Sequence, residues 1–566
     1  MHSNTTRRTF VKGLAAGGLL GGLGLWRTPV WAITSPGEPQ VLTGTDFDLS
    51  IGETPVNITG NPRTAMAING GIPGPLLRWR EGDTVTLRVR NKLKVDTSIH
   101  WHGILLPANM DGVPGLSFHG IEPNGTYVYQ FKVKQNGTYW YHSHSGFQEQ
   151  VGVYGPLVID AKEPEPFEYD REYVVMLTDW TDEDPASMMK TLKKQSDYYN
   201  THKRTVSDFI HDVADKGWSA TVADRKMWAE MKMNPTDIAD VSGATYTYLM
   251  NGHAPNSNWT GTFKPGEKLR LRFINGSAMS YFDVRIPGLK MTVVAADGQY
   301  VKPVSVDEFR IAVAETFDVI VEPTEAAYTL FAQSMDRTGF ARGTLATKPG
   351  LSAPIPALDP RPLVTMDDMG MGGMDHSSMG DMAGMDHSSM AGMQSHPETE
   401  KDNPLVDMQA MSTSPKLDDP GMGLRENGRK VLTYSDLKST FEDPDGREPS
   451  RTIELHLTGH MEKFSWSFDG VKFSDAEPLK LKYGERVRIV LVNDTMMTHP
   501  IHLHGMWSDL EDENGQFLVR KHTIDMPPGS KRSYRVTADA LGRWAYHCHL
   551  LYHMEMGMFR EVRVEE

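Results

Sequence analysis

Apolar and polar residues alternate in three stretches of the chain that resemble one another. The three copies occupy residues 82–91, 266–275 and 484–493. Each begins with glycine and an acidic residue and ends at asparagine, and its period of two predicts a half-buried β-strand. An Asn-Gly or Asp-Gly pair lies upstream of each copy, at 69–70, 251–252 and 469–470, and predicts a tight turn. Three copies of strand and turn predict three related β domains.

The rest of the chain fits an all-β fold with one helical interruption. Short strand-like runs bounded by glycine and proline, such as 127–133, 157–159 and 317–321, favour sandwiches or barrels. Residues 186–233 have a more helical pattern and predict an insertion or lid early in the second domain. The predicted segments are a signal peptide at 1–32, domains at 33–165 and 166–350, a linker at 351–425, and a third domain at 426–566.

The predicted linker contains a stretch of unusual composition. Residues 366–393 hold nine methionines among glycine, aspartate and serine, and Met-Asp-His-Ser-Ser-Met occurs there twice. The stretch lacks the branched and aromatic side chains whose burial could offset the entropy of ordering. We therefore expect a disordered loop before the third domain.

The N-terminal residues have the features of an export signal. Arg7 and Arg8 form a twin-arginine pattern, 13–25 is an apolar run too short to span a bilayer comfortably, and 30–32 is a plausible cleavage site. An N-terminal anchor or a chance arginine pair is the alternative. We expect export in the folded state to the periplasm, and no membrane span in the mature chain.

The composition of the chain excludes several classes of partner and metal site. The formal net charge of −15 argues against nucleic acid as the main partner. The chain has one cysteine, 33 methionines and 21 histidines. One cysteine excludes an intrachain disulfide and any zinc site built on several cysteines.

Ten of the histidines fall in four short clusters, which contain four His-x-His pairs. The pairs are His100/His102, His142/His144, His502/His504 and His547/His549. Residues i and i+2 of a strand lie on the same face, so each pair can present two imidazoles to one point. Eight imidazoles suffice for a cluster of about three metal ions. Zinc is the commoner ligand of histidine clusters, but this number exceeds any ordinary zinc site.

The remaining members of these clusters form a second set. Cys548 lies between His547 and His549 and therefore faces the opposite side of the strand. His499 lies three residues before His502 and therefore also faces the side of the strand opposite to His502. With His553 and Met558, these residues would provide the thiolate, two imidazoles and weak thioether of a blue-copper electron-transfer site. An inert buried thiol and a core methionine are the alternatives for Cys548 and Met558.

At these motifs the sequence resembles the multicopper oxidases, which consist of three cupredoxin-like Greek-key β-sandwich domains. The resemblance covers nearly all of the mature chain and implies four copper ions. It implies a type 2 copper at His100 and His502. It implies a type 3 pair at His102, His142, His144, His504, His547 and His549. It implies a type 1 copper at His499, Cys548, His553 and Met558. The second domain, with Ser280-Tyr281-Phe282 in place of a histidine pair, would carry no copper.

The resemblance also implies a mechanism. Single electrons enter at the type 1 site and pass through Cys548 to the cluster, where O2 is reduced to water by four electrons. Asp111 matches an acid that relatives place near the cluster, with a plain loop aspartate as the alternative. Relatives often have glutamate directly after the histidine that matches His553, whereas here Met554 precedes Glu555. The position that would serve a second proton route in those relatives is therefore methionine here.

The twin-arginine signal, the methionine-rich stretch and residues 145–150 resemble the periplasmic copper-resistance branch of that family. Cu(I) is soft and prefers thioether ligands, so we expect Cu(I) as substrate alongside O2. The expected Cu(I)-binding residues are Met374, His376, Met379, Met382, Met385, His387, Met390 and Met393. The alternatives are a laccase-like oxidase of phenols and a copper-sequestering protein. We expect a monomer, with other periplasmic copper-resistance proteins as partners.

Overall fold

In the computed structural model of the protein, which describes residues 40–372 and 394–566, the strands form three successive pairs of sheets. The predicted all-β class with three cupredoxin-like sandwiches is confirmed. Buried apolar residues from all three sandwiches join in one continuous core. The described residues include no helix long and apolar enough to cross a membrane.

The first sandwich contains nine strands. They are β1 (Val41–Thr43), β2 (Asp46–Val56), β3 (Arg63–Ile68), β4 (Leu76–Arg80), β5 (Thr84–Asn91), β6 (His100–His102), β7 (Thr126–Lys132), β8 (Gly137–His142) and β9 (Tyr154–Asp160). One sheet has the order β1-β4-β9-β8-β6 and the other β3-β2-β5-β7. Strand β6 therefore lies at a sheet edge, beside β8.

The second sandwich contains eleven strands. They are β10 (Arg171–Thr181), β11 (Tyr246–Met250), β12 (Trp259–Thr262), β13 (Leu269–Asn275), β14 (Phe282–Arg285), β15 (Met291–Ala296), β16 (Gln299–Val306), β17 (Glu308–Ile311), β18 (Thr316–Val321), β19 (Ala327–Ser334) and β20 (Phe340–Ala346). Their orders are β11-β10-β13-β18-β15-β16 and β12-β20-β19-β14-β17.

The third sandwich repeats the arrangement of the second. Its strands are β21 (Arg451–His460), β22 (Ser465–Phe468), β23 (Leu479–Lys482), β24 (Arg486–Asn493), β25 (His499–Leu503), β26 (Ser508–Glu511), β27 (Phe517–Lys521), β28 (Thr523–Met526), β29 (Lys531–Thr537), β30 (Gly542–Cys548) and β31 (Phe559–Glu565). The orders are β22-β21-β24-β29-β26-β27 and β23-β31-β30-β25-β28. Strand β25 is thus flanked by β28 and β30.

The three repeats found in the sequence are the equivalent strands β5, β13 and β24. Each pairs in parallel with an upstream strand and antiparallel with a downstream one. The terminal asparagines Asn91, Asn275 and Asn493 are buried and make the same three hydrogen bonds. Nδ2 donates to two backbone carbonyls and Oδ1 accepts the N–H two residues on, at 2.7–3.1 Å. These bonds satisfy buried backbone groups where the strand ends and fix the loop that leads to the next element.

Helices interrupt the second sandwich as predicted. They are α1 (Pro185–Lys194), α2 (Val206–Lys216) and α3 (Trp218–Glu230), and α4 (Leu551–Met556) follows β30. Asp184 caps α1 through the Ser187 N–H, and Thr205 with Asp208 forms a capping box on α2. Short 3-10 turns lie at 108–110, 398–400, 434–436 and 473–475.

The start of the predicted methionine-rich loop is packed instead. Residues 366–371 form a turn in which the Met369 N–H donates to Thr365 O, and the Met369 side chain is fully buried. The expected disorder therefore does not extend to these first residues, because local hydrogen bonds and apolar burial order them. Residues 373–393, with all eight predicted Cu(I)-binding residues, lie outside the described residues.

Candidate metal centres

The four His-x-His motifs lie on paired strands from the first and third sandwiches. In the first, β6 pairs antiparallel with β8 so that His100 is opposite His142. In the third, β25 pairs antiparallel with β30 so that His502 is opposite His547. Each pairing places two His-x-His motifs side by side, so histidines that are distant in sequence lie close together in space.

The two sandwiches bring their histidines together face to face. The rings of His100 and His504 stack at 3.9 Å between centroids, and those of His102 and His502 stack at 3.8 Å. Several triplets have ligand atoms that all lie within 4.8 Å of one another. They are His100/His102/His142, His100/His502/His504, His102/His502/His522 and His144/His504/His547. His549 lies within 5.0 Å of the rings of His102 and His142. The structure therefore brings all eight predicted imidazoles into one cluster.

The protonation of these histidines fits metal binding. Burial lowers the pKa of His142 and His502 well below 6.5, and it lowers the pKa of His547 to about 3. Each of these three rings directs Nδ1 at a backbone carbonyl oxygen, which accepts the Nδ1–H. Nε2 is then a free lone pair, the form that binds a metal ion. Within the described part of the chain, five rings of the cluster have a buried Nε2 without a hydrogen-bond partner: His100, His142, His144, His502 and His549.

The second predicted set also converges. Cys548 Sγ lies 3.6 Å from His499 Nδ1 and 3.9 Å from His553 Nδ1, and the two Nδ1 atoms are 3.1 Å apart. All three side chains are buried, and burial raises the pKa of the Cys548 thiol well above its usual value. A bound cation would reverse that shift by stabilising the thiolate. Met558 is fully buried next to the set, and its carbonyl accepts the Cys548 N–H.

Asp111 lies against the eight-histidine cluster. Its Oδ2 accepts a hydrogen bond from His504 Nδ1 at 2.9 Å, and its Oδ1 lies 3.2 Å from His100 Nδ1. The side chain is 1% exposed. The carboxylate thus touches one histidine from each sandwich.

Three further ionisable side chains contact the two sets, and sequence reasoning did not identify them. Glu149 Oε2 lies 2.6 Å from His142 Nδ1, and Asp240 Oδ2 lies 2.7 Å from His553 Nε2. His522 Nδ1 lies 3.2 Å from His102 Nε2. Glu149 belongs to the segment that follows the second motif, so its proximity could have been noticed. Asp240 and His522 are distant in sequence from their partners and have no motif of their own.

Comparison with known proteins identifies the family. Sequence models of the multicopper oxidases match residues 50–164, 171–349 and 446–566. Copper resistance protein A of Pseudomonas syringae pv. tomato is 78% identical, with 100% of both chains covered. Copper resistance protein A of Escherichia coli is 73% identical over 99% of both chains. Multicopper oxidase MmcO of Mycobacterium tuberculosis is 30% identical, covering 89% of this chain and 84% of its own.

Solved structures agree with this fold. Fet3p, a multicopper oxidase that functions in iron import, has a TM-score of 0.65 at 19% identity, with 93% of this chain and 91% of that chain covered. A laccase from Botrytis aclada has a TM-score of 0.60 at 21% identity, with 93% and 88% covered. Together with two buried, metal-compatible sets of side chains, these similarities show that the chain belongs to the multicopper oxidases, copper-dependent oxidoreductases.

Proposed function

We propose that this protein is a periplasmic oxidase of copper resistance, which oxidises Cu(I) to Cu(II) and reduces O2 to water. One observation carries the proposal: a single cysteine belongs to one buried metal-binding set, and both of its chain neighbours belong to the other. Cys548 joins His499 and His553, while His547 and His549 join the eight-histidine cluster. The two sets are therefore one peptide bond apart.

Each of the four proposed copper ions has its own ligands among these residues. We assign the type 1 ion to His499, Cys548, His553 and Met558. We assign the type 2 ion to His100 and His502, and the type 3 pair to His102, His142, His144, His504, His547 and His549. When bound, the copper ions supply one-electron redox steps at the first set and a site for O2 reduction at the second.

The chain's own side chains prepare these sites. Cys548 provides the shortest covalent connection between them. Asp111, in contact with His100 and His504, would hold a proton beside the cluster proposed to reduce O2. Burial of the histidines excludes bulk water, which strengthens every electrostatic interaction inside the site.

The surroundings of the first set favour a soft cation as electron donor. Asp240, which contacts His553, lines a cleft together with Met279, Met335 and Met497. Thioethers suit Cu(I), and a carboxylate attracts a cation. The relatives that are 73–78% identical are named copper resistance proteins, in keeping with copper as the substrate. The methionine repeats at 374–393 would gather Cu(I) for this entry point.

A laccase-like oxidation of phenols is the second candidate. A laccase of Thanatephorus cucumeris is 35% identical over half of this chain, so the family includes oxidases named for that activity. Copper sequestration by the methionine repeats, with oxidation secondary, is the third.

The test measures O2 uptake with Cu(I) and with a phenol. The variant replaces residues 373–393 by a Gly/Ser linker and leaves the buried Met369 in place. A second variant replaces by serine only the four histidine-flanking methionines Met374, Met379, Met385 and Met390. We expect both variants to lose Cu(I) oxidation while keeping phenol oxidation. If fully copper-loaded wild-type protein consumes no O2 with Cu(I), the cuprous oxidase proposal is wrong.

A further inference from the structure

A separate group of buried histidines and carboxylates lies in the third sandwich, outside the two sets described above. It consists of His396 and Glu400 from the segment preceding that sandwich, His456 of β21, and Asp494 directly after β24. Glu400 and Asp494 have fully buried carboxylates, His456 is 2% exposed at its side chain and His396 is 17% exposed. We name this group the 396–494 cluster.

The spacing of its ligand atoms is that of a metal site. His396 Nδ1 lies 3.3 Å from Asp494 Oδ2 and 3.4 Å from Glu400 Oε2. His456 Nδ1 lies 2.6 Å from Asp494 Oδ2 and 3.6 Å from Glu400 Oε1. Four ligands held tetrahedrally at about 2.0–2.1 Å from an ion are about 3.3 Å apart. Three of these separations fall close to that value, and the fourth, between His456 Nδ1 and Asp494 Oδ2, is a hydrogen-bond distance.

Each imidazole is held in the orientation that a metal ligand needs. His396 Nε2 donates to Ala410 O at 3.1 Å, and His456 Nε2 lies 3.3 Å from Glu454 Oε1. Both rings can therefore carry their proton on Nε2 and direct the Nδ1 lone pair inward. Metal-binding histidines almost always donate the other ring N–H to a carbonyl or carboxylate in this way.

The carboxylates are oriented in turn by their own partners. Asp494 Oδ1 accepts the Ala410 N–H at 2.8 Å, and Glu400 Oε2 accepts from Gln409 Nε2 at 2.8 Å. Among the described residues, Glu400 Oε1 and His396 Nδ1 are buried without a hydrogen-bond partner. Such orphaned buried atoms are costly unless something binds them. The spacing of the ligand atoms and the orphaned atoms thus both point to a cation between these side chains.

We propose that the 396–494 cluster binds one divalent transition-metal ion through two imidazoles and two carboxylates. This ligand set suits Zn(II) and Cu(II), with Cu(II) favoured by intrinsic affinity. Two carboxylates and one divalent cation with neutral imidazoles leave the buried site without net charge. The ion would fasten the segment from His396 to Ala410 onto the third sandwich.

The alternative to a metal ion is one additional proton on each of the two histidines, His396 and His456. Burial lowers the pKa of His396, but the adjacent carboxylates of Asp494 and Glu400 outweigh this effect and raise it to about 10. A doubly protonated histidine pair would also neutralise the carboxylates, as a buried ion-pair network. Metal uptake distinguishes the two occupants directly.

The site is near the type 1 set but separate from it. Asp494 is followed by Thr495, whose hydroxyl lies 2.7 Å from His499 Nε2. His396 comes three residues after Met393, the last of the predicted Cu(I)-binding residues. The proposal does not depend on the proposed oxidase activity, because its readout is metal content.

The experiment uses full-length protein with its copper already loaded. One sample is treated with Zn(II) and another with Cu(II), and metal content is measured after gel filtration. Wild-type protein should retain one additional ion per chain. His396→Gln should retain none, and the exposed His119→Gln should behave as wild type. The Cu(II) sample should also show a new paramagnetic signal with two nitrogen ligands in the wild type and in His119→Gln, but not in His396→Gln.

A second variant covers the case in which His396→Gln fails to fold. Glu454 has a side chain 34% exposed and supports the ring of His456 from outside the cluster. Glu454→Gln should weaken retention of the additional ion about 10- to 100-fold. No additional ion in wild-type protein, equal retention in His396→Gln and His119→Gln, or unchanged affinity in Glu454→Gln would each overturn the proposal.

Discussion

The contact between Asp240 and His553 gives the sharpest prediction about the proposed electron-entry site. Asp240 lies between α3 and β11 in the second sandwich, and its Oδ2 is 2.7 Å from His553 Nε2. His553 is fully buried and the side chain of Asp240 is 3% exposed. Asp240→Asn preserves the size of the side chain but removes its charge. It therefore converts a charge-assisted hydrogen bond into a neutral one.

The expected effect follows from that conversion. A buried hydrogen bond to a charged group contributes about 1.5–3 kcal/mol, and a neutral one about 0.5–1.5 kcal/mol. The loss is then about 1–2 kcal/mol, which at about 1.4 kcal/mol per tenfold corresponds to a factor of about 5–30. We expect copper retention by the type 1 set to weaken by this factor. We also expect its midpoint potential to rise, because a negative charge near the ion stabilises the oxidised state.

The assay titrates the blue absorbance of the type 1 site with a copper chelator and measures its midpoint potential. Asp237→Asn is the matched control, since Asp237 belongs to the same segment and is also buried. Burial raises the pKa of Asp237 well above its usual value, so the amide resembles its neutral form. The reasoning fails if both variants retain copper equally and have the same potential.

Three further variants probe other contacts. Asp111→Asn should lower kcat for O2 reduction about 100-fold or more, because a general acid contributes at least that much, and an unchanged O2-uptake rate would contradict the role. Glu149→Gln, which weakens the support of His142, should weaken copper retention about 10- to 100-fold on dialysis against chelator; retention equal to wild type would refute this. Lys521→Met removes a buried ammonium 3.0 Å from Asp297 and 3.1 Å from Glu315, and should cost about 3–5 kcal/mol in calorimetry. Burial raises the pKa of Glu315 in the folded protein above its value in the unfolded chain. The ionised carboxylate therefore destabilises the fold at pH values above the pKa of the unfolded chain. The deficit should therefore shrink as pH falls, and a deficit that grows instead would show that the carboxylates are not the cause.

Local patterns predicted those parts of the protein that depend on neighbours in sequence. The repeat ending at Asn91, Asn275 and Asn493 predicted three related domains, since the same capping hydrogen bonds recur wherever that strand ends. The His-x-His spacing predicted shared faces because side-chain direction in a strand has a period of two. The parity of Cys548 separated the two metal-binding sets for the same reason.

The sequence by itself determined the fold class and the side chains that make up the two predicted copper-binding sets. Tertiary structure alone decided what surrounds them. Asp240 reaches His553 across 313 residues, and His102 approaches His522 across 420. Likewise, His396 and His456 meet only because a segment of little regular structure packs onto β21. Burial of polar groups requires partners, but any chain segment can supply them, so local periodicity cannot reveal which one does.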